Sequence, residues 1–192
     1  MIRSRLTLSF GERLGLDLLV AESPPATTEA LIVPQDVNLI MGDLGVAIED
    51  TRESAEEVLA SASGGSQRRP GSIVVAPPRE GEPLVFQAVV YDFEAQPPAR
   101  PDHVFEALLE AFEEIHRRSL ARLALKPLGT AHAGLDQATF LRLLTQVCYS
   151  SAELGSSLRQ VLLMLPSPGE LLRYEGLLRE QMEPTLRRRG AR

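Results

Sequence analysis

The sequence predicts an α/β protein, a three-layer α/β/α sandwich whose central sheet is mixed but largely parallel. Short apolar strands alternate with amphipathic helices through the second half of the chain, which is the pattern of βαβ crossovers. An alternating polar and apolar hairpin at the N-terminus is typical of an antiparallel sheet edge. The length of 192 residues and the hydrophobic content of 44% suit one globular domain with a sizeable core.

The first sixty residues of the chain predict three strands and one helix. Polar and apolar residues alternate over residues 5–10 and again over residues 14–21, which predicts the two strands of the hairpin. Residues 30–33 form a short apolar run, and we expect a buried strand there that Pro34 stops. Apolar residues then recur at three- and four-residue spacing over residues 44–59, which predicts an amphipathic helix.

The rest of the chain continues this alternation of strands and helices. Asp102 and Asp136 stand where the N-caps of two helices are expected. Strands are expected over residues 73–76, 85–91, 120–125 and 158–165, and a last helix over residues 168–182. We expect a single domain over residues 1–184, including the hairpin, and a basic C-terminal tail over residues 185–192.

Composition and charge argue against several classes of function. The formal net charge of −6 disfavours a general nucleic-acid partner. Cys148 is the only cysteine, so no disulfide or thiolate metal cluster is possible within the chain, and the spacing of the three histidines gives a zinc site little support. The first twenty residues carry several charges, and no apolar run approaches the ~20 residues of a membrane span. We therefore expect a cytoplasmic protein with neither metal nor cofactor, while its oligomeric state stays open.

Two loops of small residues follow predicted strands, the place where parallel sheets bind ligands. They are MGDLGV at residues 41–46 and GTAHAG at residues 129–134. The second has the Gly-x4-Gly spacing of a P-loop, but Leu135 and Asp136 stand where that motif has lysine and serine or threonine. ATP or GTP hydrolysis by that route is disfavoured, whereas main-chain N–H groups could still hold a pyrophosphate. On spacing alone, a plain strand-to-helix turn remains the alternative.

Taken in order, these segments resemble the macro domain, the ADP-ribose-binding fold, over roughly residues 15–182. LALKPLGTAHAGLD is similar to the family's strand and second phosphate loop, and ALIVPQDVNLIMGDLGVAI is similar to its first. GSIVVAPP and VFQAVVYDF fall where its paired strands lie. The resemblance implies the same three-layer fold and an ADP-ribose-like small molecule as the ligand.

The resemblance also implies which residues would contact that ligand. The two loops of the family clasp the diphosphate. Tyr91 and Phe93 lie where an aromatic ring could stack near the ligand, with core packing as the alternative for one of them. The loop positions that match are Gly42, Gly45, Val46, Gly129, Thr130, Ala131, His132, Ala133 and Gly134.

The sequence departs from the family's pattern mainly around the first loop. Residues 34–36 read Pro-Gln-Asp where the family has Asn-Ala-Ala. The family's second asparagine, which orients the distal ribose, is either replaced by Val37 or displaced by one position to Asn38. Residues 43–44 are aspartate and leucine at positions usually held by glycine, and a carboxylate that pointed inward there would repel a diphosphate. Residues 22–23 replace the family's adenine-binding aspartate with Glu-Ser.

Three functions are compatible with the sequence. The leading hypothesis is binding of ADP-ribose or a related nucleotide diphosphate. The second is an ADP-ribosyl hydrolase, in which Asp136 matches an aspartate that some members use for catalysis, whereas its place before a predicted helix favours a purely structural role as an N-cap. The third is a degenerate scaffold that works through protein contacts, favoured by the substitutions in the first loop. The candidate catalytic residues of the hydrolase are Asp36, Asn38, His132 and Asp136.

Overall fold

The structure is a computed structural model, and it describes residues 2–39, 41, 67–76, 80–132 and 134–189, with only the backbone described for residues 2–5 and 182–189. The helix predicted over residues 44–59 lies outside the described residues. The strands are β1 (Ile2–Phe10), β2 (Leu14–Val20), β3 (Ala30–Asp36), β4 (Ile73–Val75), β5 (Leu84–Tyr91), β6 (Arg122–Leu125) and β7 (Gln160–Leu165). The described helices are α1 (Pro101–Arg117), α2 (Gln137–Glu153) and α3 (Pro168–Arg189).

The seven strands form one mixed sheet in the order β1-β2-β7-β6-β3-β5-β4. The four inner pairings are parallel, and the two outer pairings, β1 with β2 and β4 with β5, are antiparallel. This confirms the predicted mixed and largely parallel sheet. Because the five inner strands run the same way, their carboxyl ends meet at one edge of the sheet, which we call the C-terminal edge.

Both faces of the sheet are buried, in agreement with a three-layer architecture. On one face the three described helices pack side by side against alternate strand residues, among them Ile32 and Leu163. The residues between them point to the other face, where Ala124, Leu162 and Met164 are buried as well. Burial on both faces explains why β6 and β7 are continuous apolar runs and do not alternate.

β3 continues through Pro34 to Asp36, so the expectation that Pro34 stops this strand is wrong. The carbonyl of Ile32 accepts the N–H of Lys126 on the β6 side. Pro34, two residues further on, turns its nitrogen to the same side, where β6 has already ended at Leu125. The proline therefore removes no ladder hydrogen bond, and β3 stays paired with β5 up to Asp36.

Two helix ends also differ from the prediction. Asp102 is not the N-cap of α1, because the helix begins at Pro101 with Arg100 as its N-cap. Proline is favoured at the first helical position, where an N–H would have no partner within the helix. Asp102 lies in the first turn and forms an ion pair with Arg100 at 2.9 Å. At the other end of the chain, α3 extends to Arg189, into the segment expected to be a basic tail.

Glu29 joins the starts of the central strands at the opposite edge of the sheet. Its carboxylate accepts the N–H groups of Ala121 at 2.7 Å and Arg122 at 2.9 Å, and it forms an ion pair with the Arg122 guanidinium at 3.2 Å. Its main chain donates to the Arg122 carbonyl and accepts the N–H of Leu84. Glu29 thereby fixes β3 between β6 and β5, and this register sets the positions of the loops at the C-terminal edge.

Replacing Glu29 by alanine should lower the free energy of unfolding by about 1–2 kcal/mol, because two main-chain N–H groups and a guanidinium lose their acceptor at a partly solvated site. Urea unfolding at neutral pH measures the change. The control is Glu12→Ala, exposed in the turn between β1 and β2, which should leave this free energy unchanged. Equal losses in the two variants would contradict the role of Glu29.

Candidate functional site

The C-terminal edge brings together three of the segments that the sequence singles out. β3 ends at Asp36, β5 ends at Tyr91, and β6 leads into residues 129–134, which we call the second loop. The N–H of Val37 donates to the Tyr91 carbonyl at 2.9 Å, and the N–H of Ala131 donates to the Tyr91 hydroxyl at 2.9 Å. Tyr91 thus connects the end of β3 to the second loop. The other predicted positions, Gly42, Gly45, Val46 and Ala133, lie outside the described residues.

The second loop is a closed turn that requires glycine at both ends. The N–H of Leu135 donates to the Gly129 carbonyl at 2.7 Å, and the N–H of Gly134 donates to the Ala131 carbonyl at 3.0 Å. Gly129 has a φ of +70°, and a β-carbon there would lie 2.8 Å from the Val104 side chain. A β-carbon on Gly134 would lie 2.1 Å from the Gly129 carbonyl oxygen. The Gly-x4-Gly spacing therefore reflects the packing of the loop itself.

Some main-chain N–H groups in the described part of the second loop remain for an anion. Ala131 and Gly134 already donate within the protein, whereas no acceptor in the described part of the chain bonds to the N–H of Thr130 or His132. His132 adopts a left-handed backbone conformation with a φ of 54°, as occurs in anion-binding turns. The loop leads into the N-terminus of α2, where the helix dipole favours negative charge. This arrangement can hold a phosphate without a lysine.

Tyr91 and Phe93, the two aromatic candidates, have different surroundings. Tyr91 is 1% exposed, so its ring packs in the core, the alternative that the sequence left open for one of the two, and its hydroxyl supports the second loop. Burial raises the pKa of Tyr91, and the hydrogen bond from Ala131 partly offsets that increase. Phe93 stacks on Tyr91 with the ring centroids 5.6 Å apart, and it is 51% exposed. Phe93 is therefore the ring that a ligand could reach.

Tyr174 of α3 places a second hydroxyl beneath the second loop. Burial raises the pKa of Tyr174 to about 12, and the nearby Thr130 side chain acts in the opposite direction. The two side chains face each other without a hydrogen bond of good geometry, so the Tyr174 hydroxyl has no partner among the described residues. A buried hydroxyl without a partner is unfavourable, so the Tyr174 hydroxyl does not stabilise the second loop as the Tyr91 hydroxyl does.

Sequence reasoning missed Tyr174 because its position resembles an ordinary core position. It lies three residues after Leu171 and four before Leu178, and all three are buried on one stripe of α3. Only the packing of α3 beside α2 places its hydroxyl near the second loop. That packing is held in part by a hydrogen bond of 2.6 Å between the side chains of Gln137 and Glu170.

The two candidate catalytic carboxylates both hold turns of the main chain. Asp136 is the N-cap of α2, as predicted, and its two oxygens accept the N–H of Thr139 at 2.8 Å and the Thr139 hydroxyl at 2.7 Å. These bonds hold the pKa of Asp136 below its usual value, so the cap stabilises α2 at neutral pH and is lost as the pH falls through that lowered pKa. Asp36 is buried and accepts the N–H groups of Asn38 and Met41, both at 2.7 Å.

The other two catalytic candidates, Asn38 and His132, have exposed side chains. The N–H of Asn38 belongs to the turn that Asp36 holds. The His132 ring stands edge-on to Tyr91 and Phe93, with centroids 5.7 and 5.6 Å away. In the described part of the chain, no hydrogen bond joins the His132 ring to Asp36 or Asp136. Among the described residues, the ring contacts of His132 are therefore with Tyr91 and Phe93.

The described residues contain no group of three histidine, cysteine, aspartate or glutamate side chains that could hold a metal ion. None of the described helices combines the length and the apolar character that a membrane span requires. Cys148 is buried in α2, and burial raises the pKa of its thiol far above the usual range. That thiol is therefore poorly suited to act as a nucleophile or a metal ligand.

Comparison with solved structures identifies the fold. The Oceanobacillus iheyensis macrodomain with ADP matches with a TM-score of 0.70 and 14% sequence identity, covering 96% of this chain and 100% of that one. The Trypanosoma brucei macrodomain in complex with ADP-ribose matches with a TM-score of 0.60 and 16% identity, covering 85% of this chain and 68% of that one. No protein-family model and no curated protein sequence matches this chain. The chain therefore has the macrodomain fold, as the sequence resemblance predicted.

The two tyrosine hydroxyls should differ in their effect on stability. Tyr91→Phe should lower the free energy of unfolding by about 1–2 kcal/mol, because the N–H of Ala131 loses its acceptor. Tyr174→Phe should leave it within about 0.5 kcal/mol of wild type or raise it, because the change removes a buried hydroxyl that has no partner. Urea unfolding of both variants measures the difference. A larger loss for Tyr174→Phe than for Tyr91→Phe would contradict these assignments.

Proposed function

We propose that this protein binds ADP-ribose or a closely related nucleotide diphosphate at the C-terminal edge of its sheet. The observation that carries the proposal is the main chain of the second loop. Gly129 and Gly134 close the loop, and the N–H groups of Thr130 and His132 have no acceptor among the described residues. The fold supports the proposal, because two of the matched macrodomains are those with ADP and with ADP-ribose.

The order of the strands gives the proposed ligand a direction. The second loop follows β6, which lies between β7 and β3 in the sheet. On one side, the N–H of Ala21 donates to the Leu165 carbonyl, so the end of β7 adjoins residues 22–23. The resemblance to macro domains implies that adenine binds at those residues. On the other side lie the ends of β3 and β5, where the same resemblance implies the distal ribose. A ligand with its diphosphate on the second loop would therefore extend towards both sides.

The surroundings of the acids favour binding over hydrolysis. A general base must present an oxygen within hydrogen-bond reach of the attacking water. Asp136 caps α2 by accepting two hydrogen bonds from Thr139, and both oxygens of Asp36 accept N–H groups of the following turn, so each carboxylate already holds main chain in place. A carboxylate in such a role supports the shape of a loop. We therefore propose a binding protein, in which these acids support the C-terminal edge and do not carry out a reaction.

Two further parts of the proposal concern the whole chain. We propose that residues 1–184 act as a single unit, because the hairpin strand β2 pairs with β7 inside the sheet. We also propose a cytoplasmic location, because a single buried cysteine, Cys148, suits a reducing compartment. Limited proteolysis and cell fractionation, respectively, would check these two points.

Calorimetric titration of ADP-ribose into the protein should give measurable heat, and the ligand should raise the melting temperature. Gly134→Ala should weaken the affinity by at least about tenfold, because the added β-carbon pushes the Gly129 carbonyl away and reshapes the loop. The matched control is Gly176→Ala in α3, where a β-carbon meets nothing within 4 Å, and its affinity should equal that of wild type. Absence of both heat and thermal stabilisation for wild type at millimolar ligand would contradict the proposal and favour the non-binding scaffold.

A further inference from the structure

An exposed aromatic surface lies beside the second loop at the end of β5. Phe93 stacks almost parallel on Tyr91, with an interplanar angle of 6°, and keeps half of its surface exposed. His132 stands edge-on to Phe93 at an angle of 86°. We call Phe93 and His132 the aromatic shelf. Because the N–H of His132 is also part of the proposed diphosphate site, the shelf adjoins that site directly.

The segment that carries Phe93 is ordered by its own hydrogen bonds. The N–H of Asp92 donates to the Pro98 carbonyl at 2.8 Å, and the N–H of Ala95 donates to the Asp92 carbonyl at 3.1 Å. Tyr91 supports the ring of Phe93 from the buried side. The shelf is therefore held in place before any ligand binds, which lowers the entropic cost of using it.

The charged residues that flank Phe93 in the chain are acidic. Asp92 and Glu94 flank Phe93 in the chain, and neither forms an ion pair with another described residue. Arg100, at the end of the same segment, pairs with Asp102. An aromatic face attracts a flat cation through the negative potential of its ring, and neighbouring carboxylates add to that attraction. The shelf is thus suited to a planar, positively charged group.

The position of the shelf shows which part of the ligand would reach it. It lies at the end of β5, and the hydrogen bond from Val37 to the Tyr91 carbonyl joins this end to that of β3. In the proposed orientation, the distal ribose lies on this side of the second loop and adenine lies on the other. The group that approaches the shelf is therefore the substituent on the anomeric carbon of the distal ribose.

We infer that the aromatic shelf binds a planar cation carried on the distal ribose, so that the protein prefers such conjugates of ADP-ribose to free ADP-ribose. This inference rests on the proposed function. The pyridinium of NAD⁺ and the guanidinium of ADP-ribosylated arginine share this chemistry, since both are flat, delocalised and positive. Free ADP-ribose carries a hydroxyl at that carbon and gains nothing from the shelf.

Calorimetric titrations with NAD⁺, NADH, ADP-ribosyl-arginine and ADP-ribose test this inference. NADH is the matched probe for NAD⁺, because its nicotinamide ring is neither charged nor aromatic. We expect NAD⁺, ADP-ribosyl-arginine or both to bind wild type about fivefold more tightly than NADH and ADP-ribose. The tighter of the two cationic probes identifies the source of the cation.

Substitutions in the shelf separate the cation from the rest of the ligand. Phe93→Leu keeps apolar volume but removes the aromatic face, so it should abolish the preference for the cationic probes over NADH and ADP-ribose. Asp92→Asn should reduce the preference, whereas Glu12→Gln in the distant β1–β2 turn should preserve it.

Two outcomes would overturn the inference. Equal Kd values for NAD⁺ and NADH, together with a Kd for ADP-ribosyl-arginine no lower than that for ADP-ribose, would overturn the inference. If ADP-ribose still bound in that case, the proposed function would stand. A preference unchanged in Phe93→Leu would likewise overturn it. Binding of none of the four probes would overturn both the inference and the proposed function.

Discussion

The hydrogen bond from the N–H of Ala131 to the Tyr91 hydroxyl is the interaction on which the site depends. It attaches the second loop to the end of β5, and the Tyr91 carbonyl in turn accepts the N–H of Val37 at the end of β3. The same buried ring supports Phe93 and contacts His132. Because Ala131 donates inward, the N–H groups of its neighbours are the ones left for a ligand. One tyrosine therefore links the proposed diphosphate site to the aromatic shelf.

In the proposed function, an anionic ligand binds to a protein with a formal net charge of −6. The second loop offers main-chain N–H groups near the start of a helix, and such groups attract phosphate without a cationic side chain. Asp36 accepts hydrogen bonds from two N–H groups, and Asp136 accepts one N–H group and one hydroxyl. These donors stabilise the negative charge of the two carboxylates. Acidic residues can therefore support this edge of the sheet without excluding a diphosphate from it.

Local signals in the sequence were sufficient for the order of the described elements, the mixed sheet and the N-cap at Asp136, because periodicity and capping depend on near neighbours. Tertiary context determined the rest. Pro34 is tolerated in β3 because the shorter strand β6 has already ended on that side, and the sequence does not reveal where a neighbouring strand ends. Tyr91 and Phe93 are two residues apart and look equivalent, but β5 ends at the first, so one ring is buried and the other exposed.

The measurement that tests the central claim most directly is a titration of ADP-ribose into ¹⁵N-labelled protein, followed through the amide resonances of the second loop. We predict the largest proton shifts at Thr130 and His132, as expected for N–H groups that acquire a phosphate acceptor, and a smaller shift at Ala131, which keeps its bond to Tyr91. Saturation by ligand with the Thr130 and His132 resonances unchanged would contradict the account, because the second loop would then play no part in holding the diphosphate.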